Sequence, residues 1–152
     1  MVIYGRRVVL HDFSESDAFE LYKYRSKKEV ERFQSFKNYS LEEAKQAVLL
    51  TGPKRKPGNY QLGIYLNRQL IGDLFIHITN DYHCYIGYTI DSLYWKQGYG
   101  FESCQLCIRY LSFYLDIHHF YAYIESLNQA SIGLIRKLGF NQINQQLYYL
   151  YV

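Results

Sequence analysis

The stretch from Tyr85 to Glu102, Y-I-G-Y-T-I-D-S-L-Y-W-K-Q-G-Y-G-F-E, constrains the fold of this chain more than any other. Ile86, Tyr88 and Ile90 alternate with Gly87 and Thr89, as in a strand, and the segment then runs through glycines into an amphipathic helix. A helix entered in this way leaves its first N–H groups without intrahelical partners, and its dipole adds attraction for an anion. Gly98 and Gly100 carry no Cβ, so a phosphate can approach the backbone of Gln97, Gly98, Tyr99, Gly100 and Phe101. Two common nucleotide loops are excluded by the letters. There is no Gly-x-x-x-x-Gly-Lys followed by Ser or Thr, and no Gly-x-Gly-x-x-Gly.

A chain of 152 residues, 49% hydrophobic and 20% charged, is expected to form a single domain spanning 1–152 with one core. No apolar run reaches the length of a membrane span, and Met1 to Val9 lacks a signal-peptide h-region, so a cytoplasmic address is expected. The net charge of +3 is too small to argue for nucleic acid. Three cysteines, an odd number, fit reduced thiols rather than a disulfide framework. Cys104 and Cys107 form C-x-x-C, but no second pair supplies zinc ligands, and both read as small residues on a buried helix face. No metal is expected.

In chain order, Val2 to Leu10 reads as one opening strand. Ser14 to Ser26 reads as a helix capped by Ser14 or Ser16, followed by a short helical piece over Lys27 to Gln34. Ser40 with Glu43 makes a capping box for a helix to Leu50. Gly52-Pro-Lys-Arg-Lys-Pro-Gly58 is a loop. Tyr60 to Leu66 and Leu70 to Thr79 form a hairpin about Asn67-Arg68-Gln69, and a further antiparallel strand leads into the glycine turn. The helix from Gly98 to Leu115 is expected to bury Ser103, Leu106, Cys107, Tyr110, Leu111 and Tyr114. Phe120 to Glu125 is a strand, Asn128 to Leu138 a helix closed by Gly139, and Phe140 to Ile143 and Leu147 to Val152 are closing strands. Helices interspersed with a mostly antiparallel set of strands describe an α/β (α+β) fold.

A second motif follows the first. Asn128-Gln-Ala-Ser131-Ile-Gly-Leu134-Ile-Arg-Lys137-Leu-Gly139-Phe140 begins about thirty residues after the glycine loop and directly after a strand. Together the two resemble the GNAT superfamily of acyl-CoA N-acyltransferases. Val8 to Leu21, Ile86 to Ile90 and Tyr94 to Glu102, with Trp95 opening the loop, are similar to the branch of ribosomal-protein N-terminal acetyltransferases. The connection Asn144-Gln-Gln146 is shorter than is usual in that family.

The resemblance implies a central sheet splayed into a V between the Tyr85–Ile90 and Phe120–Glu125 strands, with acetyl-CoA as co-substrate in the gap. It implies that backbone groups of Tyr88, Thr89 and Ile90 pair with the pantetheine arm and that Lys96, Gln97, Gly98, Tyr99, Gly100 and Phe101 hold the pyrophosphate. It further implies that Asn128 bonds the pantetheine and that Ser131 protonates the departing thiolate. A neutral amine must attack the thioester, so a base is needed. Glu125 is the leading candidate, with His77, Asp91 and Asp73 behind it. Asn128 also reads as an N-cap, His77 as a hydrogen-bonded sheet histidine, and Glu102 as a helix-stabilising acid.

The expected function is therefore acetyl transfer to a primary amine, either a polypeptide N-terminus or a small amine. The acceptor wall would come from the first helices and the Phe33 to Tyr39 region. A binding module without turnover fits Gly98, Gly100 and Asn128 equally well, and an RNA-binding role for Lys54-Arg55-Lys56 has no supporting motif. C-terminal edge strands are compatible with a homodimer.

Overall fold

The computed structural model describes residues 1–152. Eight strands form one sheet in the order β1-β2-β3-β4-β5-β6-β8-β7. The chain opens with a hairpin rather than one strand. β1 (Val2–Tyr4) and β2 (Val9–His11) pair antiparallel, because Gly5 N–H donates to Val8 O at 2.9 Å and turns the chain between them. β3 (Gly58–Leu66), β4 (Gln69–Ile78) and β5 (Cys84–Ile90) then form the expected meander. Asn67 and Arg68, at φ 49° and 68°, make the two-residue turn, and Gln69 already belongs to β4.

Three helices lie between β2 and β3. α1 (Asp17–Arg25) starts later than expected, and Ser16 does not cap it through its side chain. Instead the Asp17 carboxylate accepts from Ser14 N–H at 2.8 Å, which holds the approach to the helix outside it. α2 (Lys28–Glu31) is one turn, and α3 (Leu41–Ala47) begins at the Ser40–Glu43 capping box. These helices cover one end of one sheet face, over Leu21, Tyr24, Ala44, Tyr65 and Leu70.

The other face is covered by α4 (Tyr99–Leu115) and α5 (Gln129–Lys137). α4 buries Gly100, Ser103, Cys104, Cys107, Ile108 and Leu111. This face is rotated from the expected one, and Tyr114 is 68% exposed. The residues 100, 103, 104, 107, 108 and 111 also recur at helical spacing, and the small side chains among them allow close approach to the sheet. α5 ends in a Schellman arrangement, with Gly139 N–H on Arg136 O (2.9 Å) and Phe140 N–H on Ile135 O (3.2 Å). Gly139 adopts φ +103° there. No helix is long and apolar enough to cross a membrane.

β6 (His119–Tyr123) is the one strand that breaks the antiparallel pattern. It runs parallel to β5, and the two pair only through Cys84 with Phe120 and Tyr85 with Tyr121. Beyond those pairs the strands splay, while β6 continues on its other side with β8 (Leu147–Tyr151), which pairs with β7 (Asn141–Gln142). The free edge of β5 from Ile86 to Ile90 and the start of α4 thus face the same opening.

Candidate functional site

Trp95 closes the approach to the glycine loop by donating its indole N–H to Ile90 O at 2.8 Å. Lys96 (φ 61°) and Gly98 (φ 83°) are both left-handed, and this turns the chain sharply into α4. Gly98 is the position where a side chain would be strained. Glu102 N–H makes the first intrahelical bond, to Gly98 O at 3.0 Å, so the N–H groups of Tyr99, Gly100 and Phe101 precede the hydrogen-bonded ladder. Gly100 is buried, and its role is close packing: a Cβ there would stand 3.1 Å from Leu134 Cδ1 and 3.2 Å from Tyr88 Cε2.

Arg7, in the turn between β1 and β2, is a residue that the motifs did not reveal. Its Nε donates to Glu102 Oε2 at 2.7 Å, its Nη1 to Gln97 O at 2.9 Å, and its guanidinium lies 4.5 Å from the Tyr99 ring centre. Glu102 also accepts from the backbone N–H groups of Arg7 (2.6 Å) and Val8 (3.2 Å). Burial alone would raise the Glu102 carboxyl, but these donors outweigh it and hold the group below the usual range. Arg7 and Glu102 together tie the loop to the sheet edge, and Lys96 and Lys137 add positive charge around it. Only the contact between positions 7 and 102 could have pointed to Arg7, and a single sequence does not display it.

A cavity of about 490 Å³ runs from this loop along β5 to α5, lined in its middle by Tyr88, Ile90, Leu134 and Ser131 and on its far side by Phe33 and Gln34. Asp91 N–H bonds Ile71 O on β4 at 2.8 Å, so strand alternation directs the backbone of Thr89 to β4 and that of Tyr88 and Ile90 into the cavity. Thr89 therefore contributes lining but no free backbone pair, which narrows the expected set. Gln34 Nε2 reaches Tyr88 O at 3.4 Å. The volume, the free strand edge and the unpaired N–H groups at the start of α4 fit a long donor with an anionic end, such as acetyl-CoA.

Asn128 is the N-cap of α5, its side chain accepting from Ser131 N–H at 3.2 Å, while it also lines the cavity. The Ser131 hydroxyl shares a hydrogen bond of 2.7 Å with the Tyr88 hydroxyl. Burial pushes the Tyr88 phenol up, against the opposing effect of Ser131, so Tyr88 stays protonated at neutral pH.

A second cavity, of about 60 Å³, lies on the other side of this pair, between the splayed strands. It shares Phe33, Gln34, Tyr88, Asn128 and Ser131 with the first, and its further lining includes Gly87, Tyr123 and Glu125. Glu125 is two residues beyond the end of β6 and is exposed. Its backbone carbonyl accepts from Asn128 N–H at 2.9 Å, and its carboxylate is free of protein partners.

The other sequence candidates lie elsewhere. Asp73 is 1% exposed and holds Arg25 Nη2 at 2.5 Å, Gln61 Nε2 at 3.0 Å and the Tyr24 hydroxyl, which makes it a buried structural anion. Asp91 pairs with Lys27 at 2.6 Å, and His77 bonds Asn59 at 2.6 Å outside both cavities. Arg55 of the cationic loop is engaged by Leu115 O and Asp116. Cys84, Cys104 and Cys107 are free and buried, and burial pushes the Cys107 thiol up to about 12.

Residues 7–141 match the family model described as an acetyltransferase (GNAT) domain. Among solved structures, a GNAT-family acetyltransferase from Bacillus anthracis superposes with a TM-score of 0.86 at 19% identity, over 100% of this chain and 98% of that one. RimL, a ribosomal L7/L12 alpha-N-protein acetyltransferase in complex with coenzyme A, gives 0.81 at 20% identity, over 100% and 98%. An acetyl transferase from Salmonella typhimurium that modifies the N-terminal serine of 50S subunit protein L7/L12 gives 0.81 at 19% identity, over 100% and 99%. A comparison with curated proteins returns no match.

Proposed function

The chain belongs to the GNAT acetyltransferase family and is an acetyl-CoA-dependent N-acetyltransferase, and we propose that its acceptor is the N-terminal amine of a polypeptide. The observation that supports transfer at this site is the Tyr88–Ser131 pair, which lines both cavities and so stands between a donor in the larger and an acceptor in the smaller. Acetyl-CoA supplies a thioester whose carbonyl is attacked by the amine, the C–S bond breaking as the C–N bond forms.

The start of α4, with Lys96, Gln97, Gly98, Tyr99, Gly100 and Phe101, binds the pyrophosphate, and Arg7 fixes the shape of that loop. The N–H groups of Tyr88 and Ile90 orient the pantetheine and polarise the carbonyl, and Asn128 bonds the arm where it passes α5. Ser131 donates hydrogen to the sulfur as negative charge develops there, and Tyr88 keeps the Ser131 hydroxyl aimed. Glu125 accepts the proton shed by the attacking amine, directly or through water. The similarity to RimL supports a polypeptide acceptor, and so does the small number of acids in the two cavities, Glu29 and Glu125, of which only Glu125 is free of a protein partner, too few to select a polycation. Glu29 and Glu31 are already engaged by Ser92 and by Asn38 with Lys28.

The test is release of free CoA thiol from acetyl-CoA across a panel of peptides with different N-termini, polyamines, amino acids and aminoglycosides. Turnover that favours peptides by about tenfold or more in kcat/KM supports the reading. Equal or faster turnover of a small amine moves the acceptor to that class.

A further inference from the structure

On the sheet face opposite α4 and α5, helices cover only the end that carries Tyr65 and Asp73. The remainder carries rings. Tyr85 stacks on Tyr121 with centres 5.0 Å apart and on Tyr123 at 5.7 Å. Tyr121 meets Tyr149 at 5.1 Å, and His83 stacks on His119 at 4.3 Å. Single exposed aromatics are ordinary, but a contiguous field across β5, β6 and β8 is not. Tyr123 and Tyr151 remain 65% exposed.

This field starts at the smaller cavity. Gly87 and Tyr123 line that cavity, and Tyr123 is also the first ring of the field. At Gly87 no atom beyond its chain neighbours lies within 4 Å of the place a Cβ would occupy, so nothing stands over that point of the lining. The uncovered positions of β4, β5, β6 and β8, from Phe75 to Tyr151, include no Lys, Arg, Asp or Glu. A nucleic acid would need fixed cations for its phosphates, and a charged peptide would need counter-charges. A neutral extended chain needs neither, and rings offer it wide contact at low entropic cost.

We propose that this aromatic face docks the acceptor polypeptide beyond its amine-bearing residue, as an uncharged extended segment that leaves the cavity past Gly87 and lies over Tyr123, Tyr85 and Tyr121. The inference rests on the polypeptide reading of the acceptor. From Tyr123 to His119, β6 spans about 13 Å, which accommodates about four residues of extended chain.

The test is a series of uncharged peptides with one common N-terminal residue, from dipeptide amide to decapeptide. Expected is a rise in kcat/KM of about tenfold or more that levels off about five residues from the amine. Tyr85→Ser with Tyr121→Ser should abolish that rise while leaving the dipeptide amide within about twofold, and Tyr85→Phe with Tyr121→Phe should restore it. The proposal is overturned by a flat length dependence in the unaltered protein, or by an equal loss on the dipeptide amide. It is also overturned if the Ser variants change only the sedimentation of a dimer, or only salt-sensitive inhibition by single-stranded RNA, since either would give the face to another partner. No turnover on any peptide, with turnover on a small amine, would instead remove the polypeptide reading itself.

Discussion

The hydroxyl of Tyr88 on β5 lies 2.7 Å from that of Ser131 on α5, across the opening between β5 and β6. Neither side chain is adjusted by its own element alone. Tyr88 is aimed by the sheet and Ser131 by the Asn128 cap.

Ser131→Ala should therefore lower kcat by about ten- to a hundredfold with little change in KM for acetyl-CoA, and Tyr88→Phe by a smaller factor. With the two hydroxyls in series, as proposed, the double variant should be no slower than Ser131→Ala alone within about twofold. Steady-state thiol release measures both. Losses that multiply would show that the hydroxyls act separately.

Asn128→Ala combines two effects that different readouts separate. Losing the cap should destabilise the protein by about 1 kcal/mol in urea unfolding. Losing the bond to the donor proposed for it should weaken CoA binding, seen by titration calorimetry, whereas Asn128→Asp, which restores an N-cap, should recover stability but not affinity.

Arg7→Met removes the tie between the β1–β2 turn and the glycine loop. Its expected effect is a rise of about tenfold in KM for acetyl-CoA, with KM for the amine unchanged. The Glu102 side of the same contact predicts a pH effect. Its carboxyl lies below the usual value when folded, so the stabilisation is present above the unfolded carboxyl range and is lost as pH falls through the lower, folded value. Thermal melts from neutral to acid pH should show part of the acid loss, and Glu102→Gln should flatten that part.

Asp73→Ala leaves Arg25 buried without its partner and should cost about 3–5 kcal/mol in urea unfolding. The protein that remains folded should keep its kcat within about twofold, since Asp73 touches neither cavity. A large loss of kcat at full stability would return Asp73 to the catalytic candidates.

Much of this arrangement was legible in the sequence. The meander, the Ser40–Glu43 box, the glycine loop and the Asn128 motif are local patterns, and local backbone chemistry decides them. What was not legible depends on residues far apart. Arg7 meets Glu102 and Gln97 only after the sheet has formed, and the hydroxyl of Tyr88 finds Ser131 only when β5 and β6 part. The opening hairpin is masked in the sequence because apolar residues on both sides of Gly5-Arg6-Arg7 suggest one continuous strand, and only the pairing of Val2–Tyr4 with Val9–His11 shows the turn. On α4, two overlapping helical periods share Ser103, Cys107 and Leu111, and packing against the sheet chose the one without Tyr114.

The two-pair joint between β5 and β6 also has a mechanical meaning. On one side lies a stiff plate of antiparallel strands from β1 to β5, and on the other a smaller plate of β6, β8 and β7. Few main-chain bonds cross the seam, so the plates can flex about Cys84–Tyr85 at lower cost than within either plate. A donor lodged in the gap acts as a splint between them. Hydrogen exchange at Tyr121, whose N–H faces β5, should slow on CoA binding more than exchange in the middle of β3, because the splint stiffens the seam and leaves the plates as they were.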